Sequence, residues 1–417
     1  MIYQIKQSPL AGEIYVVPSK SIMHRALIAA SLCDGHSIIK NPLFAVDTLQ
    51  TMDGLKNLGV LFETRLDEVI VLGDSVRHTG IPINARESGS TLRFLIPVSL
   101  LTQEKEHFVL SPSLVKRPMS PYEDAFKAKG IYYEQKDNNI YCQGPLKAGD
   151  YVIPGDVSSQ FISGLLFVLP ILDGNSKIVI KGNYESKSYV DLTINILKAF
   201  QIQVIEKHNV LFIQGNQKYL PTNIEVESDY SQAAFFLVAA ALGHDITIKG
   251  LNKSSLQGDK SILDFLNQSG CKVNFEQDVT VEKTEIKATT FDISNTPDLG
   301  PILFALAALS NAEITIKGIK RLRYKESDRI KAMCENLTLI GSKFLLKDNE
   351  ITFYPSQLKG GVKVSSFNDH RIVMSMAIIA TLIEGGLIID GIEAVNKSYP
   401  TFFEDLRFLG AKIYEIK

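Results

Sequence analysis

The chain has 417 residues, room for two or three domains at roughly 150 residues each. Its formal charge is −2, with 22% charged and 45% hydrophobic residues. That excludes a disordered chain and gives no global basic field for nucleic acid or a membrane surface. The longest apolar stretches, 233–242 and the run around 299–309, fall short of the roughly 18–20 residues of a membrane span. The opening MIYQIKQSPLAG has no apolar signal-peptide core. The cysteines, Cys33, Cys142, Cys271 and Cys334, form no CxxC pair, so neither a zinc site nor a disulfide framework is expected. A reduced, cytoplasmic enzyme is the simplest class.

From the N-terminus onward the chain repeats itself. Six segments pair a polar start with a small-residue-rich apolar run: SKSIMHRALIAASL from Ser19, ESGSTLRFLIPVSLL from Glu87, DVSSQFISGLLFVLPIL from Asp156, ESDYSQAAFFLVAAAL from Glu227, NTPDLGPILFALAAL from Asn295 and FNDHRIVMSMAIIATL from Phe367. Their starts are 68 to 72 residues apart. Each predicts a buried helix of about three turns, opened by a capping residue and apolar nearly all round. Pro97, Pro170 and Pro301 interrupt three of them. After each helix comes a strand-like piece (HSIIK, HFVLS, KIVIKG, DITIKG, EITIKG, LIIDG), then an amphipathic helix. Gly59, Gly130, Gln201, Gly270, Gly341 or Gly410 closes that helix, and paired strands follow. The unit reads strand–helix–strand–helix–strand–strand, six times.

The sixth unit stops one strand short at KIYEIK, whereas the initial IYQIK is a strand without a unit. The N-terminal strand is therefore expected to close the last unit. One discontinuous domain would span 1–18 plus 227–417 (repeats 4 to 6), and a second 19–226 (repeats 1 to 3). The two chain crossings would form a hinge.

Buried helices with polar starts present positive dipole ends, suited to anions. Of only eleven arginines, Arg25, Arg93, Arg117, Arg329 and Arg371 lie in or just after these segments, as do Lys20, Lys187, Lys325 and Lys397. Arg25 and Arg93 sit inside apolar runs, where an unpaired charge is costly. Arginine suits bidentate recognition of phosphate and carboxylate. Carboxylates fall among these cations too: Asp298 at a helix start, Glu326 within YKESDR, Asp369 before His370-Arg371. Such carboxylates serve proton transfer, or cap helices and form structural ion pairs. There is no GxGxxG, GxxxxGK[ST] or HExxH, and the histidines do not cluster at ligand spacing.

The ordered set PSKSIMHRAL, ESGSTLRFL, KRPM, DVSSQF, ESKSYVDLT, ESDYSQAAFFL, LQGD, PDLGP, YKESDR, NDHR and NKSYPTFFEDL resembles 5-enolpyruvylshikimate-3-phosphate synthases of bacterial type over the whole chain. The resemblance implies an α/β (α+β) fold: a two-domain inside-out α/β barrel of six βαβαββ repeats, three per domain, with the active site in the interdomain cleft. It implies transfer of the enolpyruvyl group of phosphoenolpyruvate to the 5-hydroxyl of shikimate 3-phosphate. Phosphate is released through a tetrahedral intermediate, and no metal or organic cofactor is used. The setting is the shikimate pathway to aromatic amino acids, and the family is the target of glyphosate.

By the same resemblance, Lys20, Ser21, Arg25, Ser158, Ser159, Gln160, Ser186, Tyr189, Asp298 and Lys325 are expected around shikimate 3-phosphate. Lys20, Gly89, Arg117, Gln160, Arg329, Arg371 and Lys397 are expected around phosphoenolpyruvate. Asp298, Glu326 and Lys20 are the acid–base candidates, with Asp298 near the 5-hydroxyl, Glu326 near the methylene carbon and His370 as a weaker fourth. Two positions depart from the family pattern: Glu87 and Arg321 stand where many relatives carry asparagine. The expected partners are the two small substrates, with no nucleic acid or membrane, and the chain is expected to be a monomer. The competing expectations are a UDP-N-acetylglucosamine enolpyruvyl transferase, a non-catalytic anion-binding relative, and an RNA-end cyclase of related repeat architecture.

Overall fold

Among the described residues, six four-stranded sheets share one strand order. The structure, a computed structural model, describes every residue except Ser75 and Lys417. In each sheet the first two strands of a repeat run parallel, joined across a buried helix. The fourth strand returns between the second and third, antiparallel to both. The second repeat shows the pattern: Ile83–Arg86, helix Gly89–Ser99, Lys105–Leu110, helix Ser120–Ala128, then the hairpin Tyr132–Lys136 and Asn139–Gln143.

The chain forms two compact units. One is discontinuous, Met1–Val17 with Ser228–Lys417; the other is the continuous stretch Pro18–Glu227. In the discontinuous unit the strand Ile2–Lys6 lies between Leu387–Asp390 and Lys412–Ile416, in the fourth-strand position of the sixth sheet. Two other strands are exchanged along the chain. Ala11–Tyr15, which leads directly to the first core helix, pairs parallel with Asp245–Lys249 of the fourth repeat. Ile224–Glu225, which leads to the fourth core helix, pairs with Gly35–Lys40 of the first. The chain thus changes unit after a first strand, not before it.

The six core helices are Lys20–Ser31, Gly89–Ser99, Ser159–Val168, Tyr230–Ala241, Gly300–Leu309 and His370–Leu382. Five are capped by a side chain: Ser19, Ser88, Ser158, Asp229 and Asp369 each accept from a first-turn amide. The sixth starts from the turn Pro297–Leu299, with Pro301 in its first turn, where a missing N–H costs nothing. Pro170 ends its helix in a 3-10 turn, and only Pro97 lies within one. Tyr230–Ala241 is buried at every residue, so its packing rather than an amphipathic face holds it.

The amphipathic helices end on a left-handed residue: Gly59, Gly130, Gly270, Gly341, Gly410 and, in the third repeat, Gln201 at φ 65°. A second periodic glycine was not foreseen. Gly73, Gly144 and Gly215 lie at or just after the ends of the last strands of repeats 1 to 3, where a Cβ would run into carbonyl oxygens near the ends of the core helices: 2.7 Å from Ala30 O, 2.6 Å from Leu100 O and 2.6 Å from Leu172 O. Strand and helix close on each other there, and no larger residue fits.

Among the described residues no helix is long and apolar enough to cross a membrane.

Candidate active site

The sequence-nominated residues fall into two clusters, one in each unit. In the continuous unit most of them sit in or beside the first turns of helices, with Arg25 one turn further in and Arg117 just after the short helix Pro112–Val115. Lys20 opens the first, and its Nζ lies 2.8 Å from Asp47 Oδ2 on the helix Val46–Lys56. Ser21 follows it and gives its carbonyl to Arg25 Nη1 at 2.7 Å. The Arg25 guanidinium is buried. Its Nε donates to Thr193 Oγ1 at 2.7 Å and its Nη2 to Tyr189 O at 3.0 Å, and it lies over the Phe94 ring. Arg25 therefore ties the first core helix to Lys187–Ala199, which answers the cost of placing a charge in an apolar run. Burial pushes its pKa down to about 10, so the guanidinium is still charged at neutral pH.

Gly89 begins the second core helix, and a Cβ on it would lie 2.8 Å from Arg117 Nη1 and 3.4 Å from Gln160 Oε1. Gln160, in the first turn of the third core helix, accepts from Arg93 Nη1 at 2.8 Å and donates to Ser90 Oγ at 2.9 Å. Ser158 caps that helix, and Ser159 is buried beside it. Ser186 is buried with a left-handed backbone, φ 52°, where Lys187–Ala199 starts. A non-glycine residue in that conformation is the kind of strain that collects at functional sites. Lys187 is committed to Asp191 at 2.5 Å and Glu206 at 2.7 Å. Gly89, the Gln160 amide, the Ser90 hydroxyl and the Arg93 and Arg117 guanidiniums come together here, groups of the kind that suit an anion.

The discontinuous unit holds the second cluster around Arg329, whose side chain is 1% exposed. Its Nε reaches Asp369 Oδ2 at 2.8 Å, its Nη1 Asp298 Oδ1 at 3.0 Å and its Nη2 Glu326 Oε2 at 2.6 Å. One guanidinium thus collects three carboxylates. Asp298 also takes Lys325 Nζ at 3.0 Å and Arg371 Nη2 at 3.3 Å, while its carbonyl accepts from Arg371 Nη1 at 3.0 Å.

Local backbone explains the convergence. Phe367 and Asn368 are both left-handed, at φ 48° and 53°, and turn the chain so that Asp369 caps His370–Leu382. Lys397 Nζ donates to the carbonyl of Asn368 at 3.1 Å. His370 is buried beside Asp369, its Nδ1 3.6 Å from Oδ1, beyond hydrogen-bond reach.

Burial alone would raise the Asp298 carboxyl, but Arg371, Lys325 and Arg329 overcome it and hold that carboxyl well below its usual value. Burial, with Arg321 and Arg329 adding and Asp298 opposing, pushes the Lys325 ammonium down. Burial would lower Arg329, yet Asp369, Glu326 and Asp298 push it up. The cluster is a set of opposite charges packed together, with Asp298 held ionised by three cations.

Several partners escaped sequence reading. Asp47 holds Lys20 from a helix 27 residues along the chain, and Thr193 anchors Arg25 across 168 residues. Asp369 stood out as a carboxylate among cations, but nothing marked it as the main partner of Arg329. Among the described residues no group of His, Cys, Asp and Glu is arranged to hold a metal ion.

The chain matches the family described as EPSP synthase (3-phosphoshikimate 1-carboxyvinyltransferase) over residues 5–406. It is 42% identical to the 3-phosphoshikimate 1-carboxyvinyltransferase of Clostridium kluyveri, covering 99% of this chain and 98% of that protein. It is 41% identical to the enzyme of the same name from Brachyspira hyodysenteriae, covering 99% and 100%. Among solved structures, EPSP synthase from Acinetobacter baumannii superposes with TM-score 0.81 over 99% of this chain and 100% of that one, at 24% identity. The enolpyruvyl transferase NikO from Streptomyces tendae gives 0.80 over 99% and 98%, at 15% identity. These two structures share the fold of six repeated sheets. Repeat order, whole-length identity and family match agree, and the chain belongs to the EPSP synthase (3-phosphoshikimate 1-carboxyvinyltransferase) family.

Proposed function

We propose that the two clusters divide the chemistry of one reaction, the continuous unit holding mainly substrate anions and the discontinuous unit supplying proton transfer. The reaction itself is that of the family. The enolpyruvyl group passes from phosphoenolpyruvate to the 5-hydroxyl of shikimate 3-phosphate, in the shikimate pathway. The observation that carries the division of labour is Arg329 with Asp298, Glu326 and Asp369 on its three nitrogens.

In the addition step the 5-oxygen bonds to C2 of phosphoenolpyruvate. Its proton goes to a base, and C3 gains a proton to become a methyl group. In the elimination step C3 loses a proton, the C2–O bond to phosphate breaks, and phosphate leaves. Two groups must therefore exchange protons with O5 and C3. Asp298 is assigned to the hydroxyl and Glu326 to the carbon, with Lys20 assisting as the cation that meets the leaving phosphate.

Held by Arg371, Lys325 and Arg329, Asp298 is a weak base while the site is empty. A substrate phosphate or carboxylate that draws those cations away raises its proton affinity, so binding arms the base. The remaining neighbours are shared between the two substrates. Lys20, Ser21, Arg25, Ser158, Ser159, Gln160, Ser186, Tyr189 and Lys325 are assigned to shikimate 3-phosphate. Lys20, Gly89, Arg117, Gln160, Arg329, Arg371 and Lys397 are assigned to phosphoenolpyruvate. The enzyme is proposed to act as a cytoplasmic monomer; size-exclusion chromatography with light scattering tests the oligomeric state.

The test of the reading is phosphate release from phosphoenolpyruvate with shikimate 3-phosphate, beside UDP-N-acetylglucosamine as the competing acceptor. Release with the first alone is expected. Asp298→Ala and Glu326→Gln should abolish turnover while shikimate 3-phosphate still binds; full turnover in either would remove that residue's proton role.

A further inference from the structure

Behind the helix starts of the continuous unit runs a buried polar chain that the reaction scheme above does not use. His24 Nδ1 lies 2.7 Å from Thr51 Oγ1, Thr51 Oγ1 2.7 Å from Thr91 Oγ1, and Thr91 Oγ1 2.7 Å from Ser88 Oγ. The four residues are 0–2% exposed. They come from three helices and one cap: His24 from the helix of Lys20, Thr51 from the helix of Asp47, Thr91 from the helix of Gly89, and Ser88 from its N-cap. A polar network in a dry core is costly, so four linked side chains buried together call for a reason.

The chain has a sense. At its far end the Thr91 hydroxyl is a donor, its proton going to Ser88 Oγ at 2.7 Å in preference to the Asp47 carbonyl at 3.4 Å. A hydroxyl carries one proton, so Thr51 must donate to Thr91, and His24 Nδ1 must then donate to Thr51. His24 Nε2, which has no hydrogen-bond partner, is left as the unprotonated nitrogen; a proton there would be an orphaned buried donor. Burial, with Lys20 and Arg25 adding to it, pushes the imidazole well below its usual value. The ring stays neutral and the sense is kept.

At the end of the chain, Ser88 Oγ accepts twice: from the Thr91 hydroxyl, and from the Thr91 amide at 3.2 Å as a helix cap. Its own proton is not used within the chain. Ser88 directly precedes Gly89, Ser90 bonds Gln160, and Gly89 faces Arg117.

We propose that Thr91, backed by Thr51 and His24, is a positioning residue for the enolpyruvate site. The chain fixes Ser88 at the helix start and reserves its hydroxyl proton for an oxygen of the bound anion. The inference rests on the assignment of Gly89 and Arg117 to phosphoenolpyruvate. It makes Ser88 an extra donor, with an orientation set from the helix that carries Lys20.

The test is steady-state kinetics of Thr91→Val, which removes the hydroxyl at nearly constant volume, against Thr91→Ser, which keeps it. Thr91→Val is expected to raise KM for phosphoenolpyruvate about 3- to 10-fold, the worth of one hydrogen bond, with KM for shikimate 3-phosphate unchanged. Thr91→Ser is expected to restore it. Thr51→Val breaks the chain one link further back and serves if Thr91→Val does not fold; it should move the same constant in the same direction. Equal rises in both KM values, or none, would overturn the proposal.

Arg117→Ala separates the two ideas. If it raises the phosphoenolpyruvate KM and the threonine variants do not, the chain is only structural. If it too leaves that constant unmoved, the assignment of this corner to phosphoenolpyruvate is wrong, and the proposal falls with it.

Discussion

Lys20 Nζ and Asp47 Oδ2 are 2.8 Å apart, with side chains only 15% and 9% exposed. The pair brings a prospective substrate ligand under the control of a helix that contributes no other nominated residue. Removing Lys20 should cost turnover heavily under its proposed role of meeting the leaving phosphate. Asp47→Ala should lower kcat/KM about tenfold, the typical strength of a partly buried charge-assisted hydrogen bond. The double variant should lose no more than Lys20→Met alone, since Asp47 acts through Lys20. Additive losses in that double-mutant cycle would show that Asp47 has an independent role.

Gly89→Ala places a methyl group 2.8 Å from Arg117 Nη1 and 3.4 Å from Gln160 Oε1. Arg117 is the flexible end of a side chain, so it moves and the fold survives. KM for phosphoenolpyruvate should rise several-fold, while the thermal midpoint stays level or rises, because alanine is the better helix former. A lower midpoint with an unchanged KM would contradict this.

Gly144→Ala should do the reverse. Its Cβ would meet the Leu100 carbonyl at 2.6 Å and that of Thr102 closer still, and backbone cannot swing aside. Urea unfolding should show a loss of about 2–4 kcal/mol. Kinetic constants of the surviving folded enzyme should be near normal.

Acid should weaken the discontinuous unit through His244. Its Nδ1 accepts from the Leu10 amide at 3.1 Å, so Nε2 donates to Thr381 Oγ1 at 3.0 Å. Burial, helped by Lys283, pushes its pKa down to about 4. The unfolded chain, with an ordinary value near 6.5, takes up the proton first as pH falls. The stabilisation is therefore full above about pH 6.5 and is lost toward pH 4, with a slope of up to about 1.4 kcal/mol per pH unit. Melting temperatures over that range should fall less steeply for His244→Asn, whose amide oxygen still accepts from Leu10. Parallel curves would exclude His244 as the source.

The legible part of this protein was its period. Capped apolar helices 68 to 72 residues apart, with glycine after each amphipathic helix but one, predict a sixfold repeat. The fold shared with the two enolpyruvyl transferase structures has six sheets of one order. Gln201 shows how the exception works, adopting the left-handed conformation that its glycine counterparts take. The N-terminal strand was expected in the last unit, but the other exchanged strands were not legible: Ile224–Glu225 is two residues long, and its partner is set by chain crossing rather than by local pattern.

In the site, motif residues announced themselves as charges at helix starts. Their holders did not: Thr193 under Arg25 and Thr51 between His24 and Thr91 look like ordinary helix residues until three helices are packed together. Long-range partnership leaves no mark on the segment that supplies it.

The place of Ile2–Lys6 in the sixth sheet has a consequence for synthesis. The first strand made pairs with the last: Ile2 stands opposite Ile416 and Lys6 opposite Lys412. On the ribosome, the stretch Pro18–Glu227 holds every strand of its three sheets once Glu227 has emerged, and it can fold at once. The N-terminal strand has no partner until Leu387–Asp390 and Lys412–Ile416 have emerged. For most of translation it trails as an exposed, unpaired edge beside a finished domain, and it is the segment for which a chaperone has the longest time to act.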